Sequence, residues 1–446
     1  MKRYLFLLGL LALTTSGCEK DEFVNPSAAR EEEVYTNPDA LIAVSNGLQA
    51  RWTTGGALSP LYNTAALGGL STRELLILNV GNIEEFNVSV GGGNVTNLNG
   101  VVSNLWGQSL LVRSNADKIL ASAGNIGEPG TRNGVVAYAS IFRALALGTL
   151  TQFFEQVPLP TQTNAPFSPR AQVLQSVVTQ LETAATQLAA TPASTDFNSK
   201  IVPGIDLTNT LQALIARYSL LAGDYDKALA AAGRVNLASR SVFNFDENSR
   251  NPLFEAAFGN RNVFEPFDNN LGLPAALAPE ANDRRIPFYV RISPTPTQNR
   301  GLGFYTASAA PIPVYLPGEM LLIRAEAYAR KNDLPNAIAE LNRVRASTAP
   351  ASTTAAGTGG LPTAPPGAGL APYSGPVTAE AVLLDIYRQR QVELAFQGFR
   401  LEDNRRFGRP GPGPLSTPPN ERNRNFYPYP RAERDNNTAT PADPAI

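Results

Sequence analysis

The side chains of this sequence best placed for acid–base work lie near its end. Gln389, Glu393 and Gln397 recur every four residues, with Arg390 three before Glu393 and Arg400 seven after it. On one helix these positions share a face. A carboxylate framed by guanidinium groups can act as a catalyst, contact a ligand, or sit in a buried ion-pair network. The apolar surroundings favour the last, because a charge removed from water must be paired. We therefore expect Glu393 to clamp the final helices to the helix that holds Glu326. Histidine is absent from all 446 residues. Ser–His–Asp and Cys–His catalysis and His-ligated zinc or iron are thus excluded. Glycoside hydrolysis by two carboxylates and all-oxygen calcium sites remain open to such a composition. No site residue is assigned a catalytic or metal-binding role, and no cofactor is expected.

The single cysteine, Cys18, has chemistry of a different kind. Lys2 and Arg3 precede the apolar run Leu5 to Leu13, and Thr15-Ser16-Gly17 leads into Cys18. That order of basic, apolar and small residues reads as a signal peptide over residues 1–17. Small residues ahead of the Cys resemble a bacterial lipobox, although Thr15 stands where Leu or Val is usual. Cys18 is then the lipidated residue and 18–30 a tether. The rest of the sequence has no apolar run approaching the roughly 20 residues of a membrane span, so the mature chain is expected to be anchored without crossing. Losing residues 1–17 takes Lys2 and Arg3 with it, leaving 35 basic against 38 acidic side chains and a charge of −3. Nothing there would neutralise a phosphate backbone, so nucleic acid is not an expected partner.

Helices must position these groups. Thr36-Asn37-Pro38-Asp39 is a capping sequence, followed by Leu41, Val44, Leu48 and Trp52 at helical spacing. Further periodic stretches cover 101–120, 135–154 and 169–190. Gly55-Gly56, Gly68-Gly69 and Gly91-Gly92-Gly93 read 53–100 as loop. Ile286–Ile292 is the best strand candidate. Residues 217–228 and 326–337 repeat one pattern, with Asp224 matching Asp333 and Ala228 matching Ala337. Each copy reads as a helix, a short turn and a second helix, in the manner of a tetratricopeptide hairpin, which must stack to bury its apolar face. Residues 347–378, rich in Ala, Thr, Gly and Pro, read as a poorly ordered surface loop that folding could spare. The prediction is a mostly α fold in which 31–446 form one domain on an irregular array of about four hairpins.

Several stretches carry a family resemblance. Glu319 to Ala327 with Ala337 to Arg345 is similar to the Ala-Glu-Ala and Asn-x-Val-Arg helices of the SusD/RagB family. Arg390 to Arg400 resembles its Arg-x-x-Glu-Leu-x-x-Glu-Gly-x-Arg signature, and Tyr427 to Glu433 its Pro-x-Pro-x-x-Glu ending. Arg143-Ala144 with Val157-Pro158-Leu159, and Trp106 with Asn115-Ala116, resemble its upstream helices. Gln389, Gln397 and Leu316 depart from the pattern.

The resemblance implies a nutrient-binding outer-membrane lipoprotein that hands oligosaccharide or polysaccharide to a TonB-dependent transporter of the SusC type, without chemistry of its own. Glu19-Lys20-Asp21-Glu22, after Cys18, resembles a surface-export signal. A lipid-anchored carboxylate glycosidase and a peptide-binding or protein-docking scaffold are the alternatives. Sugar binders stack aromatic rings on pyranose faces, so loop aromatics are the candidates: Tyr62, Phe86 and Tyr305, with Phe304 beside the last. Trp106 reads as core, and Trp52 as core or the edge of a site.

Overall fold

The structure is a computed structural model that describes residues 34–353 and 359–446. Cys18, the signal peptide and the tether lie outside the described residues. Helix α1 (Pro38–Thr53) starts where its cap predicts: the Asn37 side chain accepts from the amides of Asp39 and Ala40. Leu41, Leu48 and Trp52 are buried and Val44 is half-buried.

The stretch read as loop holds two helices, α2 (Pro60–Leu70) and α3 (Ile83–Val90), with strand β1 (Leu75–Ile77) between them. Gly68 and Gly69 are misleading as turn signals because they serve close approach. A Cβ on Gly68 would lie 2.4 Å from the carbonyl oxygen of Gly398, and one on Gly69 would lie 2.5 Å from Leu75 Cδ1. Glycine inside a helix costs about 1 kcal/mol against alanine, which contact between two backbones here offsets.

Helices α4 (Gly100–Ser122), α5 (Pro129–Phe153) and α6 (Arg170–Ala190) match the periodic stretches within a few residues. α5 is long and apolar enough to cross a bilayer, which the sequence reading had not allowed for, but 89% of its most apolar window is buried inside the protein. It is the central core helix, flanked by α4 and α6. Strands β2 (Gln156–Pro158) and β3 (Phe167–Pro169) pair antiparallel between α5 and α6.

Helix α7 (Thr195–Lys200) leads to the first copy of the repeat, α8 (Leu207–Ala222) and α9 (Tyr225–Arg234). Strands β4 (Val242–Phe243) and β5 (Phe264–Pro266) follow; β5 pairs antiparallel with β1, Leu76 opposite Glu265. The expected strand at 286–292 is instead the short helix α10 (Ile286–Tyr289), with one isolated bridge from Val290 to Gly301. Pro287 has no amide for a strand ladder, and it suits the first turn of a helix. After β6 (Ile312–Pro313), which pairs with β4, comes the second copy, α11 (Pro317–Arg330) and α12 (Leu334–Arg345).

The two copies fold alike. Each turn has a residue at positive φ, Gly223 at 81° and Asn332 at 61°. Each second helix is capped by its aspartate: Asp224 accepts from the Lys227 amide at 3.0 Å, and Asp333 from the Asn336 amide at 3.4 Å. Ala228 and Ala337 are fully buried where paired helices meet. α9 packs on α11 and α11 on α13 (Ala379–Glu393), so the hairpins form one stack. Helices α14 (Arg400–Arg406) and α15 (Arg431–Asn436) complete the chain.

The described part of the low-complexity segment, 347–353 and 359–378, packs on the scaffold more closely than its composition suggests. Thr363, Ala364, Ala368 and Leu370 are buried. The Leu370 amide donates to the Arg345 carbonyl at 2.8 Å, and the Arg284 amide to that of Ala368 at 3.0 Å. Small residues bury little side-chain area, but they let backbone lie against backbone. The expectation of a poorly ordered surface loop is corrected accordingly for the described residues.

Candidate functional site

The charged row resolves into ion pairs. Arg285, fully buried, donates from Nη1 to Glu393 Oε2 at 3.0 Å, from Nη2 to Asp283 Oδ2 at 2.7 Å, and to Gln389 Oε1. Burial pushes the Glu393 carboxyl above its ordinary range, and Arg285 offsets this only in part. Glu393 is thus a clamp: its ion pair is with Arg285, and its carboxylate lies against Gly318 in the first turn of the helix that holds Glu326. That helix is held also by Arg406, which pairs with both Glu326 and Asp403; Asp403 also accepts from Arg390 Nε at 2.9 Å. For Asp403 burial acts upward, but Arg390 and Arg406 overcome it and hold the carboxyl below its ordinary range.

Arg400 does not share a helix face with Glu393. The chain turns at Phe396 (φ 63°) and Gly398 (φ 84°), and Arg400 opens α14, 3.2 Å from Glu74 on the far side. Gln397 lines a central cavity of about 60 Å³ together with Trp52 and Gln152. These groups are arranged as salt bridges, not as a free acid facing a free base. Among the described residues no cluster of carboxylates could hold a metal ion.

Two of the three predicted ligand aromatics are core residues. Tyr62 is 1% exposed on α2, its ring stacked on Phe264 and its hydroxyl donating to Glu85 Oε1 at 2.8 Å. Tyr305 is equally buried, stacked on Phe258 at 4.8 Å between centroids, with its hydroxyl on the Phe396 carbonyl. Phe304 is buried too. Their ring faces are already covered by other rings. Phe86, on α3, is half-buried.

The aromatic ring that faces solvent is one the sequence reading passed over. Phe267, 36% exposed, is the most open aromatic side chain among the described residues. It follows β5, and its amide donates to the Glu74 carbonyl at 3.1 Å. The ring borders a cleft of about 430 Å³ with Leu76, Ser89, Leu415 and Ser416, and Arg73 places its guanidinium 5.9 Å from the ring centroid. Arg73 sits at φ 61°, a left-handed conformation that costs a non-glycine residue roughly 1–3 kcal/mol.

The opposing turn holds Arg73 there. Asp268 Oδ1 accepts from the amides of Asn270 and Gly272 at 2.8 Å each, Leu271 and Gly272 have positive φ, and a Cβ on Gly272 would lie 1.8 Å from the Arg73 carbonyl oxygen. The backbone that carries the guanidinium is therefore set by the opposing turn. A sequence signal existed: an aromatic directly ahead of Asp268-Asn269-Asn270, which are turn residues.

A second, more polar cleft of about 280 Å³ lies beside the π-helical turn Phe254–Phe258, with Gln298, Asn260 and Thr306 on its walls. Phe254 there is half-buried.

Comparison with known proteins gives a family match over part of the chain. Residues 256–443 match the model of the SusD family. Solved SusD structures extend the likeness over most of the chain. A SusD superfamily protein from Bacteroides thetaiotaomicron superposes with a TM-score of 0.68 at 18% identity, covering 92% of this chain and 100% of its own. One from Bacteroides fragilis gives 0.67 at 18%, covering 91% and 99%. A SusD-like carbohydrate binding protein from Bacteroides vulgatus gives 0.64 at 16%, covering 82% and 83%. No curated protein matches. The fold is thus SusD-like and mostly helical.

The SusD-like motifs scattered along the sequence meet in space. Trp106 donates its indole N–H to Glu433 Oε2 at 3.0 Å across 327 residues, and its ring packs on Phe154, Phe167 and Tyr429. The SusD-like ending is therefore a strap that closes the C-terminal tail onto the first half of the fold.

Proposed function

We propose that this chain is a lipid-anchored, outward-facing outer-membrane protein. It binds oligosaccharide or polysaccharide in the Phe267 cleft and delivers it to a TonB-dependent transporter of the SusC type. It does no chemistry on its ligand. The observation that carries this reading is an exposed aromatic ring in an open cleft of a SusD-like fold. A ring face and a pyranose face are both flat and apolar, and stacking removes both from water at about 25 cal/mol per Å². The Bacteroides vulgatus relative named as carbohydrate binding supports the ligand class. The Cys18 lipobox and its acidic followers support the location.

Phe267→Ala should weaken polysaccharide binding by about 1–3 kcal/mol in affinity gels, with unchanged circular dichroism. Tyr62→Ala and Tyr305→Ala should act through folding instead, because their rings are core, while Phe86 remains a candidate. Undiminished binding by Phe267→Ala would contradict the assignment. Release of new reducing ends from polysaccharide would favour the glycosidase reading. Cys18→Ser should move the protein from the membrane to the soluble fraction; persistence in the membrane with an uncut signal would contradict the anchor.

A further inference from the structure

Arg73 has no carboxylate partner among the described residues, and the acids beside it are already engaged. Glu74, next in sequence, is taken by Arg400 at 3.2 Å and by the Phe396 amide. Glu265, across the strand pair, is taken by Arg261 at 2.9 Å and approached by Arg300 at 3.9 Å. Arg73 is the one charged side chain on the cleft wall, which is otherwise built of leucines, Ile77, Phe267, Pro418 and two serines. The neighbouring strands therefore consume their own acids and leave one guanidinium facing a cleft of about 430 Å³.

Three features make that guanidinium a recognition group. Its backbone is held in a left-handed position by the turn at Gly272, which fixes where the side chain leaves the cleft wall. Its apolar surroundings lower the local dielectric and strengthen any charge it meets. Its forked N–H donors match a carboxylate in two parallel bonds, whereas a neutral hydroxyl uses only one. The mature chain carries −3 overall, so a positive cleft is not explained by a generally basic surface.

Resting on the carbohydrate reading above, we infer that the Arg73–Phe267 cleft selects acidic sugars: a uronic acid or similar residue stacks on Phe267 while its carboxylate pairs with Arg73. Ser89 and Ser416 line the same cleft and supply hydroxyls for the remaining sugar hydroxyls.

The test uses the mature chain in native affinity gels loaded with polygalacturonate, alginate or hyaluronate, and in parallel with dextran, mannan, xylan or methyl-esterified pectin. The expected result is retention at least about tenfold stronger by one of the carboxylated polymers than by any neutral one. Arg73→Gln, which keeps most of the side-chain length and loses the charge, should abolish that preference. Phe267→Ala should weaken whatever binding remains. Strongest retention by a neutral polymer, sensitive to Phe267→Ala, would overturn the acidic preference and leave the carbohydrate reading standing. A preference for acid that survives Arg73→Gln would overturn the role of Arg73. No retention in any gel would remove both.

Discussion

Arg285→Met should destabilise the protein by about 3–5 kcal/mol, the cost of leaving buried charge without its partner. Arg285 is fully enclosed and holds Asp283 and Glu393, themselves nearly inaccessible, in one bonded set. Without it two carboxylates face each other in a low dielectric. The loss should depend on pH. Burial, incompletely offset by Arg285, already holds the Glu393 carboxyl above its ordinary range, and removing the guanidinium raises it further. A group whose folded pKa lies above its unfolded value contributes most below the unfolded pKa, and that contribution is lost as pH rises through the folded value. The variant should therefore be weaker at pH 8 than at pH 5. Glu393→Gln in the same background should recover part of the loss, since an amide carries no charge. Denaturant unfolding of the three proteins at both pH values checks this; an Arg285→Met variant as stable as the parent would contradict the clamp.

Trp106→Ala should cost about 3–5 kcal/mol, the range for deleting a large buried aromatic. The indole is 3% exposed, sits 4.6 Å from Phe154 and 5.7 Å from Tyr429 between centroids, and anchors Glu433. Trp106→Phe keeps most of the packing but loses the indole donor to Glu433, which keeps Asn437, so its cost should be nearer about 0.5–1.5 kcal/mol. Because the contact spans nearly the whole chain, Trp106→Ala should also expose the tail after Tyr427 to protease before global unfolding. Equal stability of the three proteins would show that the tail is held by other contacts.

What the sequence disclosed follows from how far apart the interacting residues are. α1, α4, α5 and α6 were legible because apolar spacing and caps are local. The hairpin copies were legible because their turns need an aspartate cap and a small packing residue at fixed offsets. α2 was hidden by Gly68 and Gly69; the reason for Gly68 is Gly398, more than three hundred residues away, and that for Gly69 is the side chain of Leu75. For the same reason Tyr62 was taken for a loop ring when it belongs to a helix.

Glu393 could be recognised as paired, since a charge in an apolar helix must be, but Arg285 was not legible as its partner because nothing local links the two. The site was the least legible part. Exposure of Phe267 depends on the pairing of β1 with β5 and on the turn at Gly272, neither of which leaves a periodic trace.

A crystal structure of the mature chain with an oligosaccharide that binds it tests the central claim most directly. The account predicts a pyranose ring lying flat against the open face of Phe267, within reach of Arg73 and bordered by Leu76 and Ser416. A ligand seated instead beside Phe254 and Gln298, with the Phe267 cleft empty, would contradict it.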